Sequence, residues 1–371
     1  MINIERMTGE FLEMAMQESV SGKERGMADL LKKKLTDLGL EVFEDDTGKK
    51  INTGTGNLIA RLPGKGGGEP LMFCAHMDTV EPGRGISPVV EGGVIRSSGD
   101  TVLGADDKAG IAAILEAVRV IREKDLRHPD LELVFTVFEE GGLLGAKHLD
   151  TGLLKARLGY VLDSEGPPGT IVTSAPTQDR ITATVYGRSA HAGICPEKGI
   201  NAIGVAARAI AGMKIGRIDD ETTSNIGVIS GGKATNIVPD MVNIQGETRS
   251  LDRNKKKFQT GLMIEKLEQA AAEAGARVEI KVENLYREFN LAKDSQVVSL
   301  ALEAAAKLGL EPRITSTGGG SDANIFNEKG IASAILGIAM QNVHTTEEFI
   351  RIEDMAASSR LVLGIIQGAG K

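Results

Sequence analysis

The chain has 371 residues, 41% hydrophobic and 25% charged, with 51 acidic against 43 basic side chains and a net charge of -8. That is the balance of a globular protein able to bury a sizeable core, and with no basic run longer than Lys255-Lys256-Lys257 it lacks the footprint nucleic acid requires. Two distant cysteines, Cys74 and Cys195, provide no disulfide framework, and no apolar run approaches the roughly 18 residues of a membrane span.

The first stretch, MINIERMTGEFLEMAM, is acidic and amphipathic rather than a secretory leader, so a cytoplasmic location is expected. Apolar spacing predicts helices over residues 5–17 and 22–39, followed by strands at EVFED (41–45), NLIARL (57–62) and LMFCAH (71–76). The stretch 106–123, DDKAGIAAILEAVRVIRE, reads as an amphipathic helix. LELVFTVF (131–138) and YVLD (160–163) are apolar throughout, as strands covered on both faces are. Alternation of such strands with helices predicts an α/β fold, a mixed sheet with helices on both faces.

Near residue 180 the pattern changes. ITATVYG alternates with period two; a helix follows at 201–213, then NIGVISGG, MVNIQGETRS, a helix around 255–274 and RVEIKVENL. The order β-α-β-β-α-β is that of a ferredoxin-like α+β domain. The chain is therefore expected to hold a discontinuous domain, 1–178 and 291–371, interrupted by an inserted domain over 179–290.

Of the five histidines, His128 and His148 read as ordinary polar positions. His76 closes an apolar strand and is followed at i+2 by Asp78, whose carboxylate is placed to orient the imidazole. Asp106 and Asp107 open the long helix, where one acid would satisfy the helix dipole and two leave a spare. Glu139 and Glu140 end one apolar strand and Asp163 another. In open α/β sheets the functional crevice lies at the carboxyl ends of the strands, so these acids are expected to converge with His76 there. Four or five adjacent carboxylates cannot all stay ionised without cations, so the set calls for metal, and for more than one ion. Imidazole and carboxylate without thiolate suit zinc, cobalt or manganese. Two ions about 3.5–4 Å apart on a bridging carboxylate are a recurring hydrolytic device. Each needs one histidine and a terminal carboxylate besides the bridge, which the chain supplies if His344 in NVHTTEEF joins His76.

Six motifs in order, HMDTV, LGADDKAG, FEEGG, LDSEG, GRSAHAG and VHTTEE, resemble the co-catalytic zinc metallopeptidase family of peptidase T, carboxypeptidase G, aminoacylase and succinyl-diaminopimelate desuccinylase. LGADDKAG is most similar to peptidase T-like members. The resemblance implies two zinc ions bridged by Asp106, one completed by His76 and Asp163 and the other by Glu140 and His344. It implies Glu139 as general base, Asp78 as support for His76, and His191 as an oxyanion donor that dimeric members contribute across the subunit interface. Asn236, Arg249 and the TGGGSD loop with Gly319 match substrate-binding positions. The implied activity is peptidase T-like, a tripeptide-type aminopeptidase acting on small peptides, with a homodimer formed through the inserted domain. The alternatives are an N-acyl amino acid deacylase or glutamate-type carboxypeptidase on the same fold and, outside enzymes, a metal-dependent binding protein, which would have no use for Glu139.

Overall fold

The computed structural model describes residues 1–370. It separates into two compact units, one formed by Met1–Thr173, Asn290–Ser316 and the chain from Ser321 onward, the other by Ser174–Phe289 with Thr317–Gly320.

The first unit is built on a mixed sheet whose strands lie in the order Glu41–Glu44, Leu58–Leu62, Leu131–Thr136, Leu71–His76, Leu158–Ser164, Ala332–Gly337, Thr170–Ala175, with Arg313–Ser316 also paired to the last. The four strands from Leu131–Thr136 to Ala332–Gly337 run parallel, and their neighbours on either side are antiparallel. Every residue of Leu71–His76 and Leu131–Thr136 is buried, which is why neither strand alternates in sequence: both sheet faces are covered by helices.

Helix Ala105–Glu123 departs from the amphipathic expectation, because it is buried on almost every side. It packs against the sheet and against helices Ile4–Met16 and Ile352–Ala369. Glu116, buried in the middle of the helix, is neutralised there: Arg6 Nε lies 2.9 Å from its carboxylate and the backbone N–H of Asn3 donates at 2.7 Å. A three-stranded sheet of Pro88–Glu91, Val94–Ser97 and Phe349–Arg351 completes the unit.

In the second unit the strands Thr177–Tyr186, Thr222–Gly231, Met241–Ser250 and Arg277–Tyr286 and the helices Ala202–Ala211 and Arg253–Glu273 follow one another as β-α-β-β-α-β. Numbered in chain order, the four strands lie 2-3-1-4, all antiparallel, with Gly216–Arg217 added at one edge; this is the ferredoxin-like arrangement. The helices cover one face through Val205, Ala209, Leu267 and Ala271. The glycine loop 317–320 belongs to this unit although it lies far along the chain. Thr317 N–H donates to Ser174 O at 3.0 Å, and a Cβ on Gly320 would stand 2.2 Å from the Tyr286 ring. No helix among the described residues is long and apolar enough to cross a membrane.

Candidate metal centre

The carboxyl ends of the four parallel strands bring the candidate residues of the first unit together. His76 is the last residue of its strand and Asp163 the penultimate residue of its own. Glu139 and Glu140 follow the strand that ends at Thr136, and His344 lies beyond Ala332–Gly337. Asp106 enters from the start of helix Ala105–Glu123, where Asp106 and Asp107 have non-helical backbone angles and a cis peptide bond joins them.

Asp106 stands between the two histidines. Its Oδ1 is 2.9 Å from His76 Nε2 and its Oδ2 is 3.2 Å from His344 Nε2. Glu140 Oε1 is 2.7 Å from the same His344 nitrogen. Ligand atoms of His76, Asp106 and Asp163 all lie within 4.8 Å of one another, as do those of Asp106, Glu140 and His344. Asp106 belongs to both sets. A third grouping, His76, Glu139 and Glu140, meets the same distance.

The electrostatics show what this cluster lacks. Burial, reinforced by neighbouring acids, raises the carboxyl of Asp163 well above its ordinary range, with Asp106 the largest charged contributor, and does the same to Glu139 with Asp163 the main contributor. Burial raises Glu140 as well, despite its bond to His344. Burial likewise opposes ionisation of Asp106, but hydrogen bonds from His344 and His76 outweigh it and hold that carboxyl below its ordinary value. Burial opposes charge on His76 too, yet the bond and charge of Asp106 prevail and raise it. His344 is pushed up to about 10 by its bonds to Asp106 and Glu140. Four carboxylates against two imidazoles is an anionic excess that cations would relieve. The donor set, with two histidines, a shared aspartate and no thiolate, fits two borderline divalent ions.

The surrounding hydrogen bonds fix the donors. His76 Nδ1 lies 2.9 Å from the backbone carbonyl of Asp78, which leaves Nε2 as the nitrogen facing Asp106. The Asp78 carboxylate itself is 3.6 Å from the ring and is committed elsewhere. It accepts from Glu139 N–H at 2.9 Å, Glu140 N–H at 3.2 Å and Ser21 Oγ–H at 2.7 Å. The i+2 relation therefore reaches the imidazole through the main chain, while the side chain holds the turn that carries both glutamates. Glu24, fully buried, continues this pattern by accepting from Phe138 N–H at 3.1 Å and Gly22 N–H at 2.8 Å. Phe138 has φ 53°, so the strand direction is lost before the glutamates rather than after them. Gly141 is required by the same turn, since a Cβ there would lie 1.7 Å from the Phe138 ring. Ser21 and Glu24 escaped the sequence reading; the only signal was SGKE, which resembles an ordinary helix start.

The remaining candidates lie in the second unit, in two groups. His191 and Asn236 share one: His191 bridges to Ile237, and Ala192 N–H donates to Asn236 O at 3.0 Å. Arg249 and the glycine loop share the other. Arg249 Nη1 reaches Gly318 O at 3.4 Å, its Nε and Nη2 are paired with Glu247 at 2.9 and 3.1 Å, and Gly319 N–H donates to Thr317 Oγ1 at 3.1 Å. The first group lies beyond the Met241 end of strand Met241–Ser250 and the second at its Ser250 end. At ~3.3 Å per residue the eight steps from Met241 to Arg249 span about 26 Å of strand.

An α/β sheet bearing two donor sets on a shared carboxylate at the ends of its parallel strands is the build of a metal-dependent hydrolase. Comparison with known proteins gives the particular kind: residues 72–368 match peptidase family M20/M25/M40, and the chain belongs to that family, the one its six motifs resemble. The crystal structure of aminopeptidase PepT from Bacillus cereus superimposes with TM-score 0.91 at 46% identity over all of both chains. A tripeptidase from Staphylococcus aureus superimposes with TM-score 0.95 at 42% identity over 99% of this chain and 98% of that one. Peptidase T of Escherichia fergusonii is 26% identical over 92% of this chain and 91% of its own. The protein is a peptidase with a peptidase T-like fold.

Proposed function

We propose that the protein is a dinuclear aminopeptidase that removes the N-terminal residue from small peptides, tripeptides above all. The observation that carries this reading is the pair of donor sets sharing Asp106, with Glu139 beside them and outside both. Likeness to PepT and to a tripeptidase supports the substrate class. His76, Asp106 and Asp163 would hold one ion, and Asp106, Glu140 and His344 the other, zinc by the donor chemistry with cobalt or manganese as alternatives. Bound there, the ions would supply Lewis acidity and make a water acidic enough to attack near neutral pH.

The residues do the rest. Glu139 accepts a proton from the attacking water as its oxygen bonds to the scissile carbonyl carbon. It then donates that proton to the amide nitrogen as the C–N bond breaks, leaving a carboxylic acid and an amine. His191 donates to the carbonyl oxygen while it carries negative charge. Arg249, whose Nε–Nη2 edge is held by Glu247, binds the substrate carboxylate through its other edge beside the Gly319 loop, and Asn236 reaches such a site from a second copy.

His191 and Asn236 serve the centre of a second copy. The two groups lie at opposite ends of a stretch of strand about 26 Å long, longer than a tripeptide, and this supports a homodimer through the inserted unit. Mixing Glu139→Gln and His191→Ala proteins tests it. In a two-fold dimer, random exchange gives half heterodimers with one intact site each, so about a quarter of wild-type activity returns. No recovery after demonstrated exchange would place His191 in its own chain's site.

The substrate assignment is tested by metal analysis with a panel of free and amino-blocked di- and tripeptides. Release of the N-terminal residue from free tripeptides is expected. Cleavage of blocked substrates with free ones spared would replace it with deacylase or carboxypeptidase activity, and bound metal without any cleavage would leave a binding protein.

A further inference from the structure

Helix Ala105–Glu123 has no cap of its own. Its N-cap position is Gly104, with φ 72° and no side chain to accept from the first free N–H groups. Exposed helix ends leave such groups to water, but here Leu103, Gly104, Ala105 and Asp106 are all buried, so an acceptor must be supplied. It arrives from 242 residues further along the chain. Glu348, 1% exposed, accepts from Leu103 N–H at 2.6 Å and Gly104 N–H at 2.8 Å through Oε2, and from Asp106 N–H at 3.0 Å through Oε1.

Glu348 is also part of the loop that presents His344. That loop is closed at its base by reciprocal backbone bonds between Gln341 and Phe349, at 3.0 and 3.1 Å. Inside it Thr345 Oγ1–H donates to Asn342 O at 2.7 Å, and Glu348 N–H donates to Thr345 O at 3.2 Å. Beyond it Phe349–Arg351 is pinned as a strand against Val94–Ser97. One buried carboxylate thus ties the loop carrying His344 to the segment carrying Asp106, and both contribute to the donor set completed by Glu140. A local Ser or Asp cap would satisfy only N–H groups inside the helix; an acceptor from this loop takes Leu103 and Gly104 as well and ties one candidate ligand to the other.

We propose that Glu348 is a positioning residue that sets His344 against Asp106 and thereby the affinity of the Asp106–Glu140–His344 set for its ion. The inference rests on the dinuclear reading above. Groups behind metal ligands typically change ion affinity 10–100-fold when altered, and that range is the expected size of the effect.

The test is Glu348→Gln. Glutamine keeps the shape but has one oxygen for three donors, so its NH2 faces either Asp106 N–H or the Leu103 and Gly104 N–H groups. Metal-free protein is titrated with Co2+, following heat and the visible absorption of the bound ion. One of the two equivalents should bind roughly 10–100-fold more weakly with an altered absorption spectrum, the other changing less. Asp252→Ala is the structural control. It removes a helix cap in the other unit, where Asp252 accepts from Asn254 and Lys255 N–H, and should lower Tm while leaving both affinities and the spectrum unchanged. Glu348→Gln that titrates and absorbs like wild type, whatever its Tm, overturns the proposal and leaves the dinuclear reading standing. Wild-type protein that takes up no Co2+ overturns both. If Glu348→Gln is recovered only unfolded, Glu348→Asp, which keeps the charge one methylene short, is judged by the same criterion.

Discussion

Asp78→Asn separates two jobs that a single residue performs. The main-chain carbonyl facing His76 Nδ1 is untouched by the change, whereas the carboxylate that receives Glu139 N–H, Glu140 N–H and Ser21 Oγ–H is replaced by a carboxamide of the same shape. One oxygen survives. The other becomes an NH2 that cannot accept, so at least one of the two backbone bonds is lost and a donor faces a donor. A hydrogen bond to a charged group contributes about 1.5–3 kcal/mol. If the Glu139–Glu140 turn must return to its wild-type position in the transition state, the same energy is added to the barrier, a fall in turnover of roughly 10- to 150-fold. The assay is steady-state cleavage of a free tripeptide at saturating metal, together with thermal unfolding of the loaded protein. A fall in kcat with KM nearly unchanged is expected, because in the proposed mechanism the turn carries the base and a ligand rather than a substrate contact. Asp78→Asn with wild-type kcat would show that the turn holds its shape without the carboxylate and would refute the reasoning.

Glu139→Gln should lower kcat by roughly 10²–10⁴-fold while metal content stays at the wild-type level; loss of an ion instead would make Glu139 a ligand, as the His76–Glu139–Glu140 grouping would allow. Metal uptake should release protons. His344, pushed up to about 10 by its bonds to Asp106 and Glu140, carries a proton in metal-free protein at neutral pH and must lose it to bind. Apparent affinity therefore weakens as pH falls from about 10. Titration calorimetry in buffers of different ionisation enthalpy measures the release, and a heat independent of the buffer would contradict it. Gly141→Ala should destabilise by about 1–3 kcal/mol, as overpacking does, because its Cβ must displace the Phe138 ring. Phe138→Ala in the same chain should return part of the lost Tm, and a double variant no better than the single would place the strain elsewhere.

The parts of this molecule legible in its sequence are those where one property repeats along a segment. Leu71–His76 and Leu131–Thr136 are apolar throughout because both sheet faces are covered, and the β-α-β-β-α-β order of the second unit survives as alternation and turn spacing. The acids at strand ends were legible for a related reason, since charge is out of place at the end of a buried strand unless something uses it. What could not be read is where a side chain serves the backbone of a distant segment. Glu348 looks like the second acid of a polar loop, and Glu24 like the first turn of a helix. Nothing local distinguishes a carboxylate in water from one that receives three buried N–H groups contributed 242–245 residues away. Asp78 was half legible: its spacing from His76 identified the pair, but the bond runs through the carbonyl, and the carboxylate turned to Glu139 and Glu140. The two kinds of position divide the chemistry between them. Candidate ligands announce themselves because their charge is costly where it stands, and the residues that hold them in place are silent because each has already been neutralised by the backbone it grips.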